Sequence, residues 1–136
     1  MKKIGYTTGV FDLFHVGHLN VLRRSKMKCD YLIVGVTTDE LSKSRKNKYP
    51  VVPFLERVEI VQSIKFVDQV VPQTHMDKLK AWEELKFHVM FVGDDWKGTP
   101  KWIELEKQFA QKGVEIVYFP YTKHVSSTKL RAVLGL

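Results

Sequence analysis

Short apolar segments alternate with helical patterns along the whole chain, and this alternation restricts the fold more than any other feature. The segment Tyr31–Thr37 is a continuous apolar run, which is typical of a strand covered on both faces. Strands that alternate with helices predict an α/β fold, with a parallel sheet and helices on both of its faces. The predicted strands are 3–8, 31–37, 67–71, 89–92 and 114–119, and the predicted helices are 17–28, 54–64, 77–85, 102–112 and 126–134.

Two features interrupt this pattern. The segment 38–53 is polar and rich in lysine, so we expect a long loop there. Pro72 is expected to end the third strand, because proline has no N–H group to donate to a sheet. A chain of 136 residues has the usual size of one domain, so we expect a single domain over residues 1–136.

The charge of the chain indicates an anionic partner. Lysine and arginine number 22 against 15 aspartates and glutamates, which gives a formal net charge of +7. The basic residues cluster at 23–28, 43–48 and 97–101, so both nucleic acid and a phosphorylated small molecule are open as partners. The apolar runs are much shorter than the roughly 20 residues that cross a bilayer, so no membrane partner is expected. With one cysteine and no signal-peptide pattern, we expect a cytoplasmic protein.

Ligands of parallel α/β sheets bind beyond the carboxyl ends of the strands. In this chain those ends lead into the segments 9–18, 37–53, 93–100 and 121–128. The same segments hold the side chains with the richest chemistry. We therefore expect one binding site at this edge of the sheet.

Two histidines lie at the corner between the first strand and the first helix. His15 and His18 are three residues apart and share a face of a helical turn, where free N–H groups favour anions. Gly9 and Gly17 on either side allow the backbone to approach a ligand closely. The pair favours hydrogen bonds to phosphate oxygens over the alternative, a corner with one buried and one exposed histidine. Zinc is disfavoured because the remaining histidines and the cysteine lack ligand spacing, so we expect no protein-bound metal.

Two basic segments are open to more than one interpretation. Lys43–Lys48 is either a solvated charge run or a flexible lid over phosphates, and its place at the same sheet edge favours the lid. Arg57 either pairs with Glu56 or Glu59, or binds a phosphate through its guanidinium group.

Two later segments combine capping residues with binding chemistry. Asp94 and Asp95 follow a buried strand, where they could hold a cation, bind a hydroxyl group or cap the next helix. Ser126, Ser127 and Thr128 open the last predicted helix, as caps or as a phosphate cradle with the free N–H groups. The sequence has neither a P-loop nor a Gly-x-Gly-x-x-Gly pattern, which argues against P-loop kinases and hydride transfer.

As a set, these motifs resemble a known family. The run GVFDLFHVGH resembles the HxGH signature of the nucleotidyltransferase superfamily. The runs VPFLER, VGDDWKGT and VSSTKLR resemble the companion motifs of its cytidylyltransferase branch. The resemblance extends from Lys3 to Arg131, and size and motif order are most similar to the members that use glycerol 3-phosphate.

The resemblance implies a doubly wound, Rossmann-like sheet of five parallel strands, found as a homodimer. It implies transfer of a cytidylyl group from CTP to an alcohol phosphate, with glycerol 3-phosphate as favoured acceptor and CDP-glycerol and pyrophosphate as products. The acceptor phosphate would attack the α-phosphorus directly, so the protein positions two polyanions and needs no covalent nucleophile. Magnesium would be bound through the nucleotide phosphates, and no nucleic-acid partner is expected.

The resemblance also assigns roles to residues at matching positions. His15 and His18 would hydrogen-bond the transferred phosphoryl group, and Lys48 would close over CTP and the acceptor phosphate. Val10 and Phe11 would meet the nucleotide through backbone contact and stacking. The residues expected to act in catalysis are His15, His18, Lys48 and Arg57. The residues expected to bind the nucleotide are Gly9, Val10, Phe11, Gly17, Asp95, Tyr121, Ser126, Ser127 and Thr128. The residues expected to bind the acceptor are Asp12, Lys46 and Lys78.

One position departs from the family pattern and leaves alternatives open. Tyr121 stands where related sequences carry an arginine, and Lys123 or His124 is expected to supply the missing charge. Alternative acceptors are choline phosphate, ethanolamine phosphate and sugar phosphates, and an ATP-using enzyme similar to FAD synthetases is also possible. A non-catalytic nucleic-acid-binding domain is the remote alternative, and it predicts a basic stripe rather than cations gathered at strand ends.

Overall fold

The computed structural model describes residues 2–120 and 127–136. These residues form five strands, six α-helices and one 3₁₀ turn over Asp94–Trp96. The strands are β1 (Ile4–Gly9), β2 (Tyr31–Thr37), β3 (Gln69–Gln73), β4 (Val89–Gly93) and β5 (Glu115–Phe119). The helices are α1 (Val16–Lys26), α2 (Asp39–Lys46), α3 (Phe54–Gln62), α4 (Lys78–Leu85), α5 (Pro100–Ala110) and α6 (Ser127–Val133). No helix within these described ranges is both long and apolar enough to cross a membrane.

The five strands are parallel, and their order across the sheet is β3-β2-β1-β4-β5. β1 lies at the centre, where Tyr6 is opposite Ile33 of β2 on one side and Met90 of β4 on the other. The winding reverses between β1 and β4, so the connections after these strands diverge and leave a crevice at the carboxyl ends. The structure confirms the predicted doubly wound sheet with helices on both faces.

Apolar side chains cover both faces of the sheet. Ile33 packs in a cluster that includes Phe109 of α5, whereas its neighbours Leu32 and Val34 pack in a second cluster with Leu22 of α1. Full burial of one such side chain contributes roughly 1.5–3 kcal/mol, so these two layers provide most of the driving force for folding. β2 is apolar along its whole length because apolar side chains cover both of its faces.

The lysine-rich segment after β2 is a helix over part of its length, so the prediction of a loop over 38–53 was wrong there. Thr38 caps α2, since its hydroxyl oxygen accepts a hydrogen bond from the Leu41 N–H at 3.2 Å. Acidic residues in the first turn and basic residues in the last turn complement the helix dipole. Asn47 ends the helix in a left-handed conformation, with φ of 57°. Helix α2 could not be predicted from hydrophobic periodicity, because it has no apolar stripe.

Pro72 lies inside β3 and does not end it, which corrects the predicted boundary. It is opposite Val36 of β2, and β3 continues to Gln73. β3 is an edge strand, and one side of an edge strand makes no hydrogen bonds to the sheet. A proline nitrogen on that side costs no sheet hydrogen bond. Because β3 continues past Pro72, Gln73 lies at the carboxyl edge of the sheet.

Candidate active site

A cavity of about 580 Å³ opens at the carboxyl ends of the strands, a volume within the usual range of roughly 300–1,000 Å³ for small-molecule sites. The predicted site residues that border it are Gly9, Val10, Phe11, Asp12, His18, Lys46, Lys48, Lys78, Ser127 and Thr128. The predicted residues that do not border it are His15, Gly17, Arg57 and Asp95. The predicted residues Tyr121 and Ser126, together with Lys123 and His124, lie outside the described residues.

The two histidines cap the helix on which they lie. His15 is the N-cap of α1, and its Nδ1 accepts a hydrogen bond from the Gly17 N–H at 3.0 Å. The His18 Nδ1 accepts a hydrogen bond from the His15 N–H at 3.2 Å, and the two rings stack with centroids 3.9 Å apart. An accepting Nδ1 places the proton of a neutral imidazole on Nε2. Both rings therefore offer an Nε2–H donor on the side away from the helix backbone.

Burial keeps these imidazoles neutral near pH 7. It lowers the pKa of His15 below its usual value. Burial, and then the neighbouring His15, lower the pKa of His18 to about 4, although the Asp12 carboxylate acts in the opposite direction. The rings of Phe11 and Phe14 pack against His18 at centroid distances of 5.4 and 5.3 Å. The pair is thus suited to donate hydrogen bonds to an anion without carrying charge itself.

The turn between β1 and α1 buries Phe11, which was predicted to stack on the nucleotide. The residue has a positive φ of 55° and is only 6% exposed, and its ring belongs to the apolar cluster beneath the site. A side chain at Gly9 would come within 2.9 Å of that ring. Gly9 therefore makes room for Phe11, in addition to bordering the cavity. Protein contacts therefore occupy most of the Phe11 ring, although the residue also borders the cavity.

Arg57 is fully buried and binds three separate segments of backbone. Its Nη1 donates hydrogen bonds to the carbonyl oxygens of Val10 and Thr37, each at 2.7 Å. Its Nε donates to the Val52 carbonyl at 2.9 Å, and its Nη2 pairs with the Asp39 carboxylate at 2.6 Å. The guanidinium thus joins the turn after β1, the end of β2 and the segment before α3.

This arrangement corrects the expectation that Arg57 acts in catalysis. The guanidinium is directed into the protein and does not border the cavity, so Arg57 is a positioning residue. Pairing with an acid was the other interpretation, but the acid is Asp39 of α2 and not Glu56 or Glu59. The sequence could not identify this partner, because α2 itself was not predicted.

Asp12, which was predicted to bind the acceptor, borders the cavity and uses its carboxylate to hold neighbouring segments of the protein. The carboxylate accepts hydrogen bonds from the N–H groups of Val51 and Val52, both at 2.9 Å, and pairs with Arg131 at 3.1 Å. The Asp12 carbonyl accepts a hydrogen bond from the Ser127 hydroxyl at 2.6 Å. Asp12 therefore connects α6 and the segment before α3 to the histidine turn.

Basic side chains gather around the cavity. Apart from Arg131, the lysines and arginines that border it are Arg45, Lys46, Lys48, Lys78 and Lys101. Burial, and then the positive charges of Arg45 and Lys101, lower the pKa of the Lys78 ammonium to about 8. Asp12 is the only carboxylate along the described part of the lining, and its oxygens are already engaged. Binding an anion relieves the repulsion among these cations, so the cavity favours a polyanionic ligand.

The remaining predicted residues lie at the edge of the site. Asp95 belongs to the exposed 3₁₀ turn after β4, beside the lining residues Gly93 and Trp96. Ser127 and Thr128 begin α6 and border the cavity. No group of three metal-binding side chains occurs among residues 2–120 and 127–136.

Several residues that line the cavity were not among the predicted site residues, and three polar ones are Thr37, Gln73 and Lys101. Thr37 and Gln73 end β2 and β3, and Lys101 lies in the first turn of α5. The rule that strand ends carry ligand contacts would have found Gln73 if the third strand had been extended past Pro72.

Comparison with known proteins agrees with this geometry. The sequence matches the model of the cytidylyltransferase-like family over residues 6–133. The chain belongs to this family. It is 36% identical to the glycerol-3-phosphate cytidylyltransferase of Bacillus subtilis, covering 96% of this chain and 95% of that protein. It is 33% identical to the enzyme of the same name from Staphylococcus aureus, covering 98% of this chain and 96% of that protein.

Solved structures share the fold of this cytidylyltransferase-like chain. A lipopolysaccharide core biosynthesis protein from Thermoplasma volcanium has a TM-score of 0.74 and 26% identity, covering 92% of this chain and all of that one. Pantoate-beta-alanine ligase from Francisella tularensis has a TM-score of 0.60 and 15% identity, covering 97% of this chain and 69% of that one. The second likeness concerns the fold alone.

The contacts of Arg57 predict a large loss of stability on replacement by lysine. Arg57→Lys retains a charge but cannot reach three carbonyl groups and Asp39 at once, so the free energy of unfolding should fall by about 2–4 kcal/mol. Glu56→Gln, on an exposed position of the same helix, should change it by less than about 0.5 kcal/mol. Urea denaturation measures both. A lysine variant as stable as the wild type would contradict the role given to Arg57.

The pKa of His18 predicts how stability depends on pH. It is about 4 in the folded protein against an ordinary value of 6.5, so the unfolded chain takes up a proton first as the pH falls. This contribution to stability is complete above pH 6.5 and is lost towards pH 4, by roughly 2–3 kcal/mol. Asparagine can retain the cap without titrating. His18→Asn should therefore lose less stability than the wild type between pH 7.5 and 4.5 in urea denaturation, and an equal loss would oppose this account.

Proposed function

We propose that this chain transfers a cytidylyl group from CTP to glycerol 3-phosphate, forming CDP-glycerol and pyrophosphate. The observation that carries the proposal is the match, over nearly the whole length of both chains, to relatives named glycerol-3-phosphate cytidylyltransferase. The site supports the same chemistry, because the cavity bordered by cations is also lined by the neutral imidazole of His18, and the ring of His15, which does not itself border the cavity, stacks on it.

In this reaction an oxygen of the acceptor phosphate attacks the α-phosphorus of CTP. A new phosphorus–oxygen bond forms, the bond from the α-phosphorus to the bridging oxygen of the β-phosphate breaks, and pyrophosphate leaves. Nε2–H groups of His15 and His18 donate hydrogen bonds to the oxygens of the transferred group, where negative charge increases. No protein nucleophile takes part, so catalysis consists of positioning and charge stabilisation.

The cations serve the two polyanionic substrates. Lys46, in the last turn of α2, and Lys48 approach CTP and the acceptor phosphate from one side of the cavity. Lys78 of α4 binds the acceptor phosphate, because its ammonium is partly buried at the cavity near Arg45 and Lys101. A bound dianion would favour the charged form of Lys78 and so raise its pKa.

The nucleotide lies along the other half of the crevice. The Val10 backbone and Phe11 border it at the end of β1, and Ser127 and Thr128 border it at the start of α6. Asp95 is proposed to bind the nucleoside from the turn after β4. The assignments of Gly17, Tyr121 and Ser126 to the nucleotide remain predictions.

Magnesium is proposed to arrive on the triphosphate. The residues fit an ion held mainly by phosphates and water, because the carboxylate of Asp12, the one acid along the described lining, already accepts two N–H groups and pairs with Arg131. When bound, magnesium neutralises part of the charge of CTP. The cations of the cavity then need to balance the remainder.

The alternatives predict different substrates or a different charge distribution. Cations that surround a cavity fit small phosphorylated ligands better than a nucleic acid, which would require a basic stripe. The relatives favour glycerol 3-phosphate over choline phosphate, ethanolamine phosphate, sugar phosphates and an ATP-dependent reaction. The homodimer and the cytoplasmic location remain predictions.

An acceptor screen tests the proposed function. The purified protein is incubated with magnesium and each pair of CTP or ATP with glycerol 3-phosphate, choline phosphate, ethanolamine phosphate or glucose 1-phosphate, and pyrophosphate release is measured. We expect the highest kcat/KM for CTP with glycerol 3-phosphate. A higher value for any other pair would reassign the substrate, and no release from any pair would contradict the reaction.

The histidines provide a sharper test of the mechanism. His15→Asn and His18→Asn can retain the helix cap but remove the distal donor, so each should lower kcat by about 10²–10³ at pH 7.5, the usual effect of losing one such donor. His15→Ala and His18→Ala should lose both the donor and the cap. Steady-state kinetics and thermal unfolding separate the two effects. A folded His18→Asn protein with wild-type turnover would refute the mechanism.

A further inference from the structure

Two buried polar side chains form the cavity wall between β2 and β3. Thr37 ends β2, Gln73 ends β3, and the two residues are opposite each other in the sheet. They are only 5% and 6% exposed, yet both border the cavity. Buried polar atoms are normally satisfied by hydrogen bonds, so the partners of this pair indicate what the cavity is built to bind.

The hydrogen bonds of Gln73 leave its amide nitrogen with a weak partner. The Thr37 hydroxyl donates to Oε1 of Gln73 at 2.7 Å, which orients the amide. Nε2 of Gln73 donates to the thioether sulfur of Met76 at 3.4 Å, and a thioether is a weak acceptor. Among the described residues, no oxygen accepts a hydrogen bond from Nε2. Gln73 thus retains the capacity to donate a stronger hydrogen bond at the cavity.

This donor lies close to Arg45, which borders the same cavity as Lys78, the lysine proposed to bind the acceptor phosphate. Nη1 of Arg45 is 3.5 Å from the same sulfur atom of Met76, so the guanidinium and the amide converge on one point. Gln73 and Lys78 also both border a second cavity, of about 230 Å³. An acceptor whose phosphate lay on Arg45 and Lys78 would have its first carbon atoms near Gln73, because the guanidinium and the amide contact the same sulfur atom.

We propose that Gln73, oriented by Thr37, recognises a hydroxyl group of the acceptor and so selects a polyol phosphate over an alkyl phosphate. This inference rests on the proposed function and names a residue that determines its specificity. A hydroxyl oxygen accepts a hydrogen bond from Nε2 in place of the sulfur. An acceptor without hydroxyl groups leaves the buried amide with its weak partner, and sites that hydrogen-bond a hydroxyl discriminate strongly against such analogues.

The test compares two acceptors that share a phosphate and three carbon atoms, glycerol 3-phosphate and n-propyl phosphate. Gln73→Met removes the amide and keeps the length of the side chain. With CTP and magnesium, kcat/KM for glycerol 3-phosphate should fall roughly tenfold in pyrophosphate release, while that for n-propyl phosphate changes less than about threefold. The KM for CTP should stay at the wild-type value, which a general loss of structure would not allow.

Two further variants complete the experiment. Gln69→Met makes the same replacement at the exposed start of β3 and should leave the preference unchanged. Thr37→Val keeps the shape of threonine but removes the hydroxyl that orients the amide, so it should also reduce the preference, and it serves as the test if Gln73→Met does not fold.

The outcomes separate this inference from the proposed function. An unchanged preference in folded Gln73→Met, or in Thr37→Val if the first variant is unfolded, overturns the role of Gln73. Equal use of both acceptors by the wild-type protein also overturns it. If the wild-type protein turns over neither acceptor, both the proposed function and this role fail.

Discussion

The guanidinium group of Arg57 holds the backbone of the site in place. A buried charge costs several kcal/mol unless its hydrogen bonds are complete. Here they are completed by the carbonyl groups of Val10, Thr37 and Val52 and by Asp39, so the group is stable only when all of these segments are in position. The histidine turn, the end of β2 and the segment before α3 therefore depend on one side chain that does not border the cavity.

The histidine turn uses one nitrogen of each ring to cap α1 and leaves the other nitrogen unused by the cap. The Nδ1 atoms of His15 and His18 accept N–H groups at the start of α1, which places the protons on Nε2. Burial keeps His18 neutral, because its pKa is about 4. The imidazoles thus offer directed hydrogen-bond donors without charge, whereas the lysines and arginines around the cavity bring positive charge to it. The two tasks are assigned to different residue types.

Sequence patterns predicted the sheet well and the connections less well. The five strands and the paired histidines could be read from apolar runs and spacing, because a covered parallel sheet and a helix cap impose those patterns. Helix α2 was missed, since its partners are a cap and a buried arginine rather than an apolar stripe. Pro72 was misread as a strand end, because whether a strand lies at the edge of a sheet is a property of the assembled sheet.

The sequence by itself determined the class of fold, the edge of the sheet that carries the site and the residue types that act there. Hydrophobic periodicity and the order of strands and loops are local properties of the sequence, so both can be predicted without knowledge of distant contacts. The tertiary structure alone decided that Arg57 and Asp12 bind backbone, and that Gln73 and Lys78 meet Arg45 at one cavity. Asp12 is about 40 residues from the N–H groups it binds and Arg57 is 47 from Val10, so these roles depend on which partners the folded chain places within hydrogen-bond distance.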